Sequence, residues 1–146
     1  MYQINIYIGT SINGPGIRKG YYAAIVECIT TRDPVTRQIT GQEETTTFNR
    51  LTLIAATKAL SILNKTCNVT IYTDCQFVKN MVESRSTDQW RREEWKKAAG
   101  GRLQNKELWQ EFAEELAKHH VKFQLMQDHG YRKELKKMLE EQNGKR

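Results

Sequence analysis

The residues best equipped for chemistry fall into a basic group and an acidic one. Between positions 90 and 97 the chain reads Trp90, Arg91, Arg92, Glu93, Glu94, Trp95, Lys96, Lys97, so four cations interleave with two indoles. Cations neutralise phosphates, and aromatic rings either anchor such a patch or flank sugars. The competing reading is a solvated helix whose tryptophans pack on neighbouring elements, its charge diluted by Glu93 and Glu94. The acidic group is scattered. Asp74 directly follows NVTIYT, Asp128 and His129 follow VKFQLM, and Glu43, Glu44 and Glu134 lie elsewhere. A carboxylate where a strand hands over to a helix either caps the helix or ligates a hard cation such as Mg²⁺. Glu134 sits in a charged run where a solvated role is simpler, and His129 reads as a surface-loop histidine.

The elements that must position these groups follow from the period of the apolar residues. Tyr2, Ile4, Ile6 and Ile8 alternate and predict a strand; Asn13, Gly14, Pro15 and Gly16 then form a turn-rich stretch. GYYAAIVECITT predicts a second strand, Asp33-Pro34 a turn, and TRQITGQEETTT a third strand. From residue 49 to about 63 the period becomes helical, through Leu51, Ile54, Ala55, Ala59, Ile62 and Leu63. NVTIYT is a fourth strand, and a short helix is expected over 74–83. Residues 84–104 are polar and charged and suggest no element. A helix over 106–118, a fifth strand VKFQLM and a last helix over 131–142 complete the chain, with 142–146 a frayed tail. The result is an α/β fold in one domain spanning 1–146. Its mixed five-stranded sheet is antiparallel over strands one to three and parallel where the first, fourth and fifth meet, with helices flanking it.

Composition narrows the class. A chain of 146 residues with 38% hydrophobic and 27% charged residues suits one soluble domain. No apolar run approaches the roughly 18 residues that cross a bilayer, so no membrane partner is expected. The start, MYQINIYIG, lacks the basic and apolar segments of a signal peptide. Cys28, Cys67 and Cys75 are odd in number and show no CxxC spacing, which argues against disulfides or zinc and for a reducing, cytoplasmic setting. A net charge of +6 makes polyanions the first partners to consider.

Four segments, in order, resemble type 1 ribonuclease H. TIYTDCQFV (70–78) is similar to the family's "TDSQYV" junction, and IYIGTSINGPG followed by GYYAAIV to its first hairpin, "YTDGSCxxNPGPGGYG". TTTFNRLTLIAATKAL is similar to "TTNNRAELxAAIxAL", and WRREEWKKAAGGRLQNKELWQEF to the "WxxxWKxxxGxxxKNxDLWQ" protrusion and helix. Together they cover roughly residues 2–126. The resemblance implies a ribonuclease H-like fold and, as partner, an RNA–DNA hybrid or another duplex. It also implies a site where four carboxylates hold two Mg²⁺ ions about 4 Å apart.

The four positions can be checked in turn. The first carboxylate falls on Gly9, the second on Thr52, and the third on Asp74. The fourth belongs early in the last helix, where the shortened loop leaves Lys133, Glu134 or Leu135 in its place; His129 echoes the family's loop histidine. A hydroxyl at Thr52 supplies no charge. The resemblance also carries Asn13, Thr47, Asn49 and Gln76 onto nucleic-acid contacts, although Thr47 and Asn49 read equally as helix caps and Phe48 replaces the first of the family's usual asparagine pair. The expectation is a ribonuclease H-like nucleic-acid-binding protein with a depleted site, little or no hydrolysis, and no cofactor or only weakly bound Mg²⁺ or Mn²⁺ at Asp74. Two alternatives stand beside it: an active nuclease with displaced ligands among Glu43, Glu44, Asp128 and Glu134, and a protein–protein adaptor. The particular duplex and the oligomeric state stay open.

Overall fold

Alternating β-branched and aromatic residues build five strands, seen in a computed structural model that describes residues 1–95, 105–125 and 129–144. They are β1 (Tyr2–Thr10), β2 (Arg18–Cys28), β3 (Val35–Thr46), β4 (Cys67–Thr73) and β5 (His120–Leu125). Five helices accompany them among the described residues: α1 (Phe48–Ser61), α2 (Gln76–Glu83), α3 (Ser86–Arg92), α4 (Lys106–Leu116) and α5 (Arg132–Gly144). The sheet order is β3-β2-β1-β4-β5. β1 pairs antiparallel with β2 and β2 with β3, while β1–β4 and β4–β5 are parallel. The mixed sheet expected from the sequence is therefore present, with the parallel half built by helical crossovers.

Because side chains alternate across a strand, each face of the sheet has its own core. One face carries Ile4, Ile6 and Ile8 of β1, Val69 and Ile71 of β4 and Phe123 of β5, packed with Leu51, Leu53 and Leu60 of α1 and Trp109 and Phe112 of α4. The other face carries Tyr7, Ala23 and Ile25, covered by Leu135 and Met138 of α5. Each fully buried aliphatic or aromatic side chain contributes about 1.5–3 kcal/mol, so the larger cluster dominates stability.

Three local features depart from the sequence reading. Residues 86–92 form α3 although no capping residue announces it; Arg85 turns the chain in the left-handed region, φ 61°, where a glycine would be the usual signal. α5 runs to Gly144 and so takes in residues read as tail, with Gln142 Nε2 donating to the Tyr22 carbonyl at 3.1 Å. Asp74 does not cap α2. The cap position is Cys75, and its N–H is taken by Thr73 Oγ1 at 3.1 Å. The three cysteines are free thiols, Cys67 and Cys75 buried and Cys28 half-buried.

Candidate functional site

The C-terminal ends of β1 and β4 lie side by side in the parallel pair, so Gly9 and Asp74 emerge together at one end of the central strands. The turn after β1 brings Asn13 to the same end, and the start of α5 closes over it. Between them lies an open cavity of about 290 Å³ lined by Gly9, Asn13, Asp74, His129, Arg132 and Lys136, with Leu135 and Leu139 among its walls. The sequence reading selected four of these: Gly9, Asn13, Asp74 and His129. It missed Arg132 and Lys136. The signal was there in retrospect, since residues four apart on a helix share a face and both flank Leu135.

Among the described residues Asp74 is the one carboxylate that lines this cavity. Burial pushes its pKa up, a rise that its own backbone amide partly opposes. A side chain at Gly9 would crowd α5: a Cβ there would lie 3.2 Å from Leu135 Cβ, so that contact would have to ease by a few tenths of an ångström, and 3.5 Å from Leu139 Cδ1, an ordinary contact. Leu135, rather than Lys133 or Glu134, is thus the helix residue that faces Gly9. Thr52 is fully buried and its hydroxyl donates to the Phe48 carbonyl at 3.0 Å. His129 packs its ring 4.7 Å from that of Tyr7, and its Nδ1 accepts from the Tyr131 N–H at 3.1 Å, so the neutral ring carries its proton on Nε2.

Of the displaced acids, Glu43, Glu44 and Glu134 do not assemble here. Glu43 is held by Arg50 through two hydrogen bonds, 3.2 and 2.9 Å, and accepts from Thr46 Oγ1 at 2.6 Å. The Arg50 guanidinium holds its carboxyl below the usual carboxylate range. Glu44 pairs with Lys19 at 3.6 Å, and Glu134 is exposed and outside the cavity lining. Asp128, Lys96 and Lys97 lie outside the described residues. Among the described residues no group of three or more His, Cys, Asp or Glu is placed to hold a metal ion. One carboxylate facing two cations is the wrong donor set for two hard divalent ions, so the described residues of the cavity do not fit the expected pair of Mg²⁺.

The polar positions fare differently. Thr47 caps α1, its hydroxyl accepting from the Arg50 N–H at 3.2 Å, which is the cap alternative for that residue. Asn49 Oδ1 accepts from Cys75 Sγ at 3.3 Å and so draws the starts of α1 and α2 together. Gln76, the first residue of α2, is exposed beside them. Thr47, Asn49 and Gln76 thereby form a polar strip that continues through Asp74 into the cavity. Further along, Trp90 lies 6.0 Å from Trp95 and 5.5 Å from Trp109, ring centre to ring centre, and both Trp90 and Trp95 pack on the main core. The indoles are half-buried and anchor the segment, while Arg91 and Arg92 are exposed.

A carboxylate that sequence reasoning missed lies on the far side of β1. Glu27 is buried and accepts from Asn5 Nδ2 at 2.9 Å, Tyr7 Oη at 3.2 Å and Tyr131 Oη at 2.6 Å. The carboxylate pushes the Tyr131 phenol up to about 12. Its partners are satisfied among themselves, and it serves to seat α5 on the sheet.

The RNase H family model matches residues 2–135. The chain is 35% identical over 130 residues to a ribonuclease H of Oleidesulfovibrio alaskensis, covering 88% of this chain and 80% of that relative. It is 36% identical over 121 residues to a ribonuclease H of Francisella philomiragia, covering 83% and 75%. Among solved structures it resembles LC9-RNase H1, described as a type 1 RNase H with the type 2 active-site motif. The TM-score is 0.77 at 22% identity, over 98% of this chain and 72% of that one.

Proposed function

Because the chain belongs to the ribonuclease H family, we propose that it binds duplex nucleic acid, an RNA–DNA hybrid first among candidates, and hydrolyses it little or not at all. The observation that carries the reading is the contrast between two neighbouring surfaces. The cavity keeps Asp74 but has Gly9 at the first family position, Leu135 packs against that glycine, and Thr52, at the second position, is fully buried and bonded to Phe48. The surface beside it keeps Thr47, Asn49 and Gln76 at the starts of two adjoining helices and Asn13 in the turn after β1, with exposed Arg91 and Arg92 beyond.

Binding of this kind is dominated by phosphate neutralisation and weakens with salt. A net charge of +6 supports it. The residues that remain bind and orient a duplex; a lone buried carboxylate neither holds two metal ions nor neutralises a leaving oxygen. The alternative of a nuclease with displaced ligands loses support from the tight engagement of Glu43 by Arg50 and from the exposed positions of Glu44 and Glu134.

The test is a salt-dependent titration of the full chain against a hybrid, a double-stranded RNA and a double-stranded DNA. Binding that strengthens as salt is lowered, with the hybrid preferred or equal, is expected. Absence of binding to all three at low salt would remove the reading and leave the adaptor role.

A further inference from the structure

The cavity that fails as a metal site has a charge pattern of its own. Arg132 and Lys136 stand one helical turn apart on α5 and both line it, together with Asn13, opposite the single carboxylate of Asp74. Both cations are exposed, and neither has a carboxylate partner within ion-pair distance among the described residues. Arginine stays charged at any working pH. Among the described residues the lining therefore carries two positive charges against one negative one, the reverse of what a divalent cation needs and what an anion prefers.

Packing fixes this arrangement. Leu135 lies between the two cations in sequence and is 4% exposed, wedged against Gly9 and the second core. Met138 and Gln142 tie the same helix down further along. Since side chains one turn apart share a face, seating Leu135 and Leu139 at the cavity wall also presents Arg132 and Lys136 to it. The cations are set by the same contact that removes room for a carboxylate at Gly9.

We propose that this cavity is a metal-independent phosphate site, in which Arg132 and Lys136 replace divalent ions and hold a backbone phosphate of the bound duplex. Asn13 at the rim donates a further hydrogen bond, and Asp74, the residual acid, opposes the ligand. The inference rests on the nucleic-acid-binding reading above and adds where, and by which groups, one phosphate is held. It has a signature that a metal site lacks: binding is indifferent to chelator, and removing the acid strengthens it.

The experiment is a titration of a short synthetic RNA–DNA hybrid with the full chain, in EDTA and in Mg²⁺, for wild type, R132Q/K136Q and D74N. The substituted side chains in the double variant are exposed, and a thermal melt of each variant confirms that it is folded. Wild-type affinity is expected to be the same or better in EDTA. R132Q/K136Q should weaken binding about tenfold and make the salt slope shallower by about 2, one unit per lost phosphate contact. D74N should tighten binding about threefold as a like charge is removed. If wild type binds but R132Q/K136Q retains its affinity and salt slope, or if binding requires Mg²⁺, the phosphate site is overturned while the binding function stands. If wild type does not bind at all, both fall together.

Discussion

Asp74 shows how one residue's environment reports on the loss of its neighbours. Burial raises its pKa, so its carboxyl favours the folded state only while protonated. That contribution is present below the ordinary carboxylate range and is lost as pH rises through the raised value; at neutral pH the ionised group is a cost. D74N is therefore expected to raise the melting temperature near pH 7 and to change it little near about pH 4, read by thermal denaturation at both pH values. An unchanged or lower melting temperature at neutral pH would contradict the burial argument. Gly9 gives the complementary case. G9D alone pushes a side chain into Leu135 and Leu139. A destabilisation of about 1–3 kcal/mol by chemical denaturation is expected, without gain of cleavage. Tolerance with no loss would mean that the leucines do not fill that space. The absent carboxylates at Gly9 and Thr52 were legible from four short motifs, because residue type alone decides whether charge is available. The choice among Lys133, Glu134 and Leu135 was not, because a shortened loop leaves register open and only packing against Gly9 resolves it.

At the scale of elements, strands and long helices followed from periodicity because each buries one regular face. α3 did not, since Arg85 makes the turn that glycine normally marks and the segment's charge hides its role. The same segment shows that interleaved tryptophans and arginines are ambiguous in sequence: the half-buried indoles pack against the core and the guanidiniums reach solvent. The junction between α4 and β5 holds a testable pH response. His119 is buried there, its Nδ1 accepting from the Cys67 N–H at 3.1 Å, and no partner for Nε2 is found among the described residues. Burial lowers its pKa, with Lys118 adding to the effect and Glu115 opposing it. The unfolded chain then takes up a proton near about pH 6.5 that the folded chain refuses, so stability present above that pH is lost as pH falls below it. H119N should flatten this limb of a stability–pH profile below about pH 6.5. An identical slope in wild type and variant would assign the acid sensitivity elsewhere.

For the whole molecule, sheet order, strand direction and basic charge were all foreseeable, since chain order and crossover rules leave few topologies. The charge reversal at the cavity was not. It needs Arg132 and Lys136 to be placed opposite Asp74 by a helix whose register the sequence left undecided. On the proposed reading, the molecule couples exposed basic residues to a site short of metal ligands among the described residues, so binding and hydrolysis separate. The most direct measurement of that separation follows bound fraction and strand integrity together, on a labelled RNA–DNA hybrid at protein equal to or above substrate, with Mg²⁺ and then Mn²⁺. The account predicts that the hybrid is bound and its RNA strand stays intact over the time course. RNA cleavage that disappears in D74N would contradict it.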